Sequence, residues 1–351
     1  MARVLLVGAD LGVDPRLAGL FGAFFFSLLT TPLVIAALRW VRLMDHPNER
    51  SSHTKATVRG AGWGVLFGTL VGWLGPDLLG PVRWWLPLSA VTYGLIGFVD
   101  DLRSLPAGIR FGLQILVSGA ALAVGLAVDV VDLAAWIVPV GAVAIVAYVN
   151  AFNFMDGVNG ISGMQAAVVG GLIAAAAHRV DALSIQIGAI AIAGAALGFL
   201  PFNAVRARCF LGDVGSYFIG AWIAMLCVLA YATDVGLLPI ASAMAVYGVD
   251  TASTLVRRVR RGERWWTAHR EHVYQRLTDL GLSHLGSSLV VSCFTALTGA
   301  IGVVAAGASA AVQVAAGLVV GAVCAGYLAL PRILMSRRPG VRRDGPGLIE
   351  T

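Results

Sequence analysis

LAAWIVPVGAVAIVAYVNAFNFMDGVNGISGMQAAVVGGLIAAAA, residues 133–177, holds two apolar runs, 133–149 and 161–177, on either side of a polar turn. A bilayer core takes about 20 apolar residues per helix. The stretch therefore reads as a helical hairpin crossing a membrane, with its turn at one surface. Asn150, Asn153, Asp156 and Asn159 recur every third residue there. Neighbours in such a series lie close on a helix, and the whole series covers about half the circumference. Amides and acids abutting an apolar span are costly unless satisfied. A polar helix cap with its loop accounts for them. So does a metal ligand at Asp156 with asparagines holding a sugar or diphosphate.

The rest of the chain repeats the pattern. The sequence is 58% hydrophobic and 13% charged, with 43 glycines in 351 residues, and its mean hydropathy is +0.83. These values exclude a soluble globule and suit a polytopic helical membrane protein, in which Gly lets backbones approach closely. The fold class expected is all-α, a transmembrane bundle of about eleven spans: 17–38, 61–75, 84–99, 111–128, 133–149, 161–177, 184–202, 214–232, 237–256, 286–306 and 309–331. The second and third look short. The chain reads as one integral-membrane domain, 1–351, with a motif-bearing core at 39–285, two C-terminal spans at 286–331 and a basic tail at 332–351. MARVLLVGAD at the N-terminus lacks the basic n-region of a cleavable signal. The four cysteines show no CxxC spacing, so neither a structural zinc nor a disulfide framework is expected.

Charge sets the orientation. Alternate loops (39–60, 100–110, 150–160, 203–213, 257–285 and the tail) carry 21 of the 25 Lys and Arg. The positive-inside rule places those loops in the cytoplasm, the N-terminus outside and the C-terminus inside. The net charge of +6 is then a topological signal, with attraction to anionic membrane lipid second. It is no argument for nucleic acid. Asp100, Asp101, Asp156, Asp213 and Asp250 all fall toward the cytoplasmic ends of apolar runs. An ionised Asp costs about 2.5–3.5 kcal/mol at a helix centre and less near the interface. Five on one side point to a cation or proton-transfer site.

Each motif has an ordinary reading beside the functional one. GFVDDLRSLPAGIRFGLQ (97–114) places Asp100 and Asp101 side by side, either as a helix end entering water or as a pair that binds Mg²⁺ or takes a proton. CFLGDVGSYFIG (209–220) reads as a helix N-terminus around Asp213. It is either an Asp N-cap or a phosphate site with a metal at the Asp. Phe210 is a base-stacking platform or an interfacial anchor. RRVRRGERWWTAHREHVYQRL (257–277) carries seven arginines, and its His269 and His272 stand i, i+3, on one helix face. It is a basic segment lying on the membrane or a diphosphate site. DHPNERSSHTKATVRGAG (45–62) brings His53, Lys55 and Arg59 to the same side. GAGWG has no strand before it, which discounts a dinucleotide fold. Asp250 is expected to pair with an arginine or to serve chemistry directly.

In this order the stretches resemble the polyprenyl-phosphate N-acetylhexosamine-1-phosphate transferases, the MraY and WecA superfamily or glycosyltransferase family 4. The matching pieces are D-PN-RSSH at 45–53, DDLRSLP at 100–106, NAFNFMDG at 150–157, FLGDVGS at 210–216, the Asp250 helix and HREHVYQRL at 269–277. DDLRSLP and HREHVYQRL are most similar to the branch that starts O-antigen and other surface polysaccharides.

The resemblance implies a bacterial inner-membrane enzyme with its site on the cytoplasmic face. Undecaprenyl phosphate would attack the β-phosphate of a UDP-N-acetylhexosamine, with Mg²⁺ (or Mn²⁺) required, and UMP would leave. It implies Asp156 and Asp213 as metal ligands and Asp100, Asp101 and Asp156 as catalytic. His269, Arg270 and His272 would bind the diphosphate, with His53, Asn150, Asn153, Asn159 and Phe210 as further substrate contacts. A homodimer is left open. Many family members carry a second Asp where this chain has Asn159. The competing reading is a transporter of an anionic substrate, but a transporter needs polar groups near the midplane and at both mouths.

Overall fold

The computed structural model describes residues 14–45, 56–75, 80–264 and 270–336. Among them are twelve helices: α1 (Pro15–Trp40), α2 (Trp63–Leu74), α3 (Val82–Arg103), α4 (Ala107–Ala127), α5 (Ile137–Phe154), α6 (Ile161–His178), α7 (Leu183–Asn203), α8 (Gly212–Tyr231), α9 (Leu237–Arg260), α10 (Val273–Asp279), α11 (His284–Ala305) and α12 (Ala310–Ser336). Nine are long and apolar enough to cross a membrane. The two expected spans outside the nine are α2, with only 12 residues, and α9, whose last turn is rich in arginine. The fold is all-α, and every expected span is found as a helix.

The differences lie at the helix ends. α3 runs four residues past its expected end, so Asp100 and Asp101 sit inside its last turn. Ser104 closes it in the left-handed region (φ 49°) with its N–H bonded to the Asp100 carbonyl. α5 stops at Phe154, which leaves Asp156 and Asn159 in the turn rather than on the helix. Residues 270–272 are not helical. His272 is the extended residue before α10; the helix-face pairing expected for it involves His269, which lies outside the described residues.

α8 is the axis of the bundle, with nearly every residue buried. It packs chiefly against α3 and α5. Trp222 meets Trp73 edge to face at 5.7 Å, and its indole donates to the Gly188 carbonyl at 2.9 Å. α7 and α1 pack through small residues, which suits helices that associate without a hydrophobic driving force. The antiparallel course gathers the segments 41–45, 56–62, 104–106, 155–160, 204–211, 261–264 and 270–283 at one end. There a two-stranded ribbon, β1 (Met44–Asp45) and β2 (Thr57–Val58), pairs antiparallel. Val58 also bridges Cys209, which plaits the loop after α1 onto the segment that leads into α8.

Candidate active site

The start of α8 is gripped by backbone and carboxylate together. Gly212 holds φ +74° and a Cβ on it would strike Gly60 and the Asp101 carboxylate, while Cβ atoms on Gly62 and Gly97 would overlap Gly215 and the Asp213 carbonyl. These contacts require glycine. They let α3 and the 60–62 turn close on the first turn of α8. Asp101 then accepts the N–H groups of Asp213 and Val214, each at 3.0 Å. It satisfies two of the donors every helix start leaves open and matches the positive end of the helix. The anion at this N-terminus is therefore Asp101, where the sequence suggested a phosphate.

Asp213 points outward from that first turn. Its Oδ2 takes Arg59 Nη2 at 2.7 Å and its Oδ1 takes Asn153 Nδ2 at 2.8 Å. Arg59 also reaches Asp101 through Nε at 2.6 Å, so one guanidinium spans both carboxylates. Burial opposes the charge on Arg59, but Asp213, Asp101 and Asp45 outweigh it and raise its pKa. Arg59 stays charged.

Asp100, one residue before, is committed elsewhere. It accepts Leu105 N–H at 2.8 Å, Arg110 Nη1 at 3.1 Å and the Tyr217 hydroxyl at 3.0 Å. The DD pair is thus split by the helix: Asp101 holds α8, and Asp100 ties α3 to α4.

The 155–160 turn is braced from two sides. Asn203 accepts Gly160 N–H at 2.8 Å and donates to the Cys209 carbonyl at 3.0 Å. The Tyr274 hydroxyl donates to the Phe154 carbonyl at 3.0 Å and fills the space a side chain on Gly157 would need. Asp156 sits in this turn. Burial pushes its carboxyl up to about 7; the Ser162 hydroxyl opposes the shift and the charges of Asp213 and Asp101 add to it. The three carboxylates are near enough to repel. Asn153 also donates to Ser216 Oγ at 3.0 Å. Asn150 is buried, donating to Gln114 Oε1 at 2.6 Å. Asn159 lies at the turn's far side, where its carbonyl accepts the Ser288 hydroxyl at 2.9 Å.

A second polar knot lies at the same end. Asp250 is fully buried in α9 and accepts His272 Nδ1 at 3.1 Å and Val273 N–H at 3.0 Å. Its partner is a histidine, not the arginine expected. Arg257 turns to Thr254 Oγ1 and the Glu271 carbonyl instead. The His272 ring stacks on Tyr274 at 5.7 Å. Arg270 pairs at 3.4 Å with Asp279 on the exposed side of α10. Phe210 is half-buried, its backbone joined to Val58 and Ala61. His53 and His269 lie outside the described residues.

Arg59, Asn203, Tyr217, Tyr274 and Ser216 enter this arrangement without having been singled out as site residues. Among the described residues no group of three or more His, Cys, Asp or Glu side chains forms a metal cluster. Mg²⁺ asks for less, since it binds through one or two carboxylates and takes further oxygens from phosphates and water. Asp156 and Asp213, hard oxygen donors that repel each other, fit that demand.

The family described as glycosyl transferase family 4 matches residues 84–231, a span holding the DD pair, the 150–160 turn and the start of α8. A probable undecaprenyl-phosphate N-acetylglucosaminyl 1-phosphate transferase of Bacillus subtilis is 29% identical over 304 residues, covering 80% of this chain and 83% of its own. A decaprenyl-phosphate N-acetylglucosaminephosphotransferase of Mycobacterium tuberculosis is 29% identical, covering 84% and 82%. A phospho-N-acetylmuramoyl-pentapeptide-transferase of Geobacillus kaustophilus is 28% identical, covering 67% and 80%. In sequence the chain is thus similar, over about four fifths of its length, to polyprenyl-phosphate N-acetylglucosamine-1-phosphate transferases, and its residues 84–231 match glycosyl transferase family 4.

Proposed function

We propose that this chain transfers an N-acetylhexosamine-1-phosphate from a UDP-sugar to undecaprenyl phosphate, forming the lipid-linked diphosphate that starts a cell-surface polysaccharide of the O-antigen kind. The observation that carries the reading is the Asp213 cluster. An outward carboxylate at a clamped helix start, with Asp156 beside it and one arginine bridging to Asp101, is chemistry for anionic phosphates and a divalent cation.

An apolar groove of about 660 Å³ adds a place for the lipid. Phe111 and Ile115 of α4, Val146 and Phe154 of α5, and Gly248 and Leu255 of α9 line it. It reaches the site end at Phe154, one turn past the buried Asn150. Its breadth and lining suit a polyprenyl tail, which would deliver its phosphate to the polar end.

In the reaction an oxygen of the lipid phosphate attacks the β-phosphorus of the UDP-sugar. The bond from that phosphorus to the bridging oxygen breaks, and UMP leaves with the electron pair. Mg²⁺, held by Asp156 and Asp213, would neutralise charge on the diphosphate. Asp101 fixes Asp213 in place through the α8 backbone. Asp100 orients Arg110, whose Nε is buried without a partner and is a donor a phosphate oxygen would satisfy. His272, with His269 and Arg270 on the same loop, would bind the diphosphate, and Phe210 would stack on uracil. Asn153 and Asn159 would meet the sugar side, with His53 at the entrance. The positive-inside pattern supports a cytoplasmic face for this end, and the proposed reaction fits a bacterial inner membrane, with the UDP-sugar arriving from the cytoplasm.

The test is purified protein with undecaprenyl phosphate, Mg²⁺ and a panel of UDP-sugars, reading UMP. Asp156→Asn and Asp213→Asn should each abolish release. Sustained turnover in both variants overturns the assignment, and the panel names the sugar.

A further inference from the structure

His272 is tied to the last helix of the bundle. Tyr327 of α12 is fully buried, its ring 5.4 Å from Phe294 of α11. Its hydroxyl donates to Asp250 Oδ2 at 2.7 Å. The other oxygen, Oδ1, takes His272 Nδ1 at 3.1 Å, and Val273 N–H lies within bonding distance of both, at 3.2 and 3.0 Å. Three elements far apart in sequence thus meet on one carboxylate: α9, the turn into α10, and α12.

The chemistry of the knot is directional. A carboxylate on Nδ1 selects the Nδ1–H tautomer and fixes the plane of the ring, so the ring acts on its surroundings through Nε2. The carboxylate must itself be held for that to work. Val273 N–H reaches both of its oxygens, and the Tyr327 hydroxyl holds Oδ2, the one not bonded to the imidazole. A phenylalanine would pack against Phe294 equally well with no polar group to satisfy. The hydroxyl has its use in the bond to Asp250.

We propose that Tyr327 is a positioning residue for the transfer reaction. It locks Asp250, and through Asp250 it sets the orientation and tautomer of His272 toward the diphosphate. This rests on the reading of His272 as a diphosphate-binding group in the proposed function. It assigns the C-terminal span a part in the chemistry beyond packing.

The experiment uses the full-length chain purified in detergent, with Tyr327→Phe. With UDP-N-acetylglucosamine (or whichever panel sugar turns over) and undecaprenyl phosphate, kcat should fall about 10-fold while both KM values stay within about twofold. The melting temperature should move by no more than a few degrees. In Asp250→Asn, adding Tyr327→Phe should cost nothing further, since the two residues act as one unit. A wild-type kcat in Tyr327→Phe, or losses that add in full, overturns the proposal.

A readout independent of turnover separates this from the function itself. The chain has six histidines, and ¹⁵N-histidine labelling with a His272→Gln comparison assigns the ring. Wild type should show one Nδ1–H tautomer and Tyr327→Phe a mixture. If the wild type transfers none of the sugars offered, the function reading fails, and an unchanged imidazole spectrum in Tyr327→Phe still overturns the positioning role by itself.

Discussion

Asp101 and Asp250 perform the same act in two places. Each reaches from the C-terminal half of a long helix to the first free N–H groups of a neighbour: Asp101 to α8, Asp250 to α10. Each thereby fixes a residue with chemistry in the next turn, Asp213 in one case and His272 in the other. They differ in their remaining partners. Asp101 shares Arg59 with Asp213, and that arginine side chain is 35% exposed and Asp213 18%. Asp250 has the His272 imidazole and the Tyr327 hydroxyl, all of them buried. The first cluster holds an excess of negative charge open to solvent, the condition for exchanging a cation. The second holds one carboxylate among buried hydrogen-bond donors, the condition for keeping a ring still.

The comparison breaks most sharply under matched substitutions. Asp101→Asn and Asp250→Asn each leave a neutral amide with a single acceptor oxygen under a helix start, so each should cost about 1–3 kcal/mol of stability. Both should lose about 100-fold or more in turnover. Only Asp101→Asn should weaken divalent binding, read as Mn²⁺ affinity by electron paramagnetic resonance. Asp250→Asn should leave it within about twofold of wild type, because no cation is proposed at the second cluster. Equal weakening in both would merge the two clusters into one site.

What was legible in the sequence follows from how far each signal reaches. Helix type and number are local: an apolar run bounded by polar turns declares itself within about 20 residues. The carboxylates stood out because an acid beside such a run is costly wherever it points. Partners did not stand out. Arg59 is 154 residues from Asp213 and Tyr327 is 77 from Asp250, and no local pattern distinguishes either from an ordinary interfacial arginine or core tyrosine. The same limit explains the wrong partner expected for Asp250 and the phosphate expected where Asp101 sits. The i, i+3 spacing of His269 and His272 suggested a helix face, but residues 270–272 are not helical and α10 begins at Val273. There the Gln275 side chain accepts the His272 N–H and Asp250 accepts the next one. GAGWG was discounted as a nucleotide motif. Its glycines matter for a close approach to Gly215 and Gly212 that only the packed bundle reveals.

That close approach gives a smaller test on the Asp101 side. Gly97→Ala adds one methyl against the Asp213 carbonyl and the Val214 nitrogen, both backbone, so nothing nearby can rotate away. Overpacking of this kind costs about 1–3 kcal/mol. The shift should displace Asp213 and lower turnover about 10-fold without removing any polar group. Gly108→Ala is the control, since its Cβ would meet nothing within 4 Å. In the first turn of α4 it should be neutral or slightly stabilising, by up to about 1 kcal/mol. A Gly97→Ala protein with wild-type turnover would mean that α8 tolerates a looser grip than its packing suggests.

The smallest effect expected concerns the charge excess itself. Burial and two neighbouring carboxylates raise Asp156 to about 7, well above the ordinary carboxylate range. A carboxyl with a raised folded pKa binds its proton more tightly in the folded state. Without metal, stability should therefore fall as pH climbs from about 4 to 7, where the folded protein keeps a proton the unfolded chain has lost, and the full cost is present above about 7. Asp156→Asn removes the group that carries that cost. The variant should melt higher than wild type at pH 8 in the presence of a chelator and no higher at pH 4, while losing all turnover. Added Mg²⁺ should close the gap at pH 8 by raising the wild-type melting temperature alone. Among the described residues no pair like Asp213 and Asp101 faces Asp250, so the same chelator and Mg²⁺ series should leave the difference between Asp250→Asn and wild type unchanged. A wild-type protein as stable as Asp156→Asn at pH 8 without metal would remove the charge excess on which the contrast between the two clusters stands.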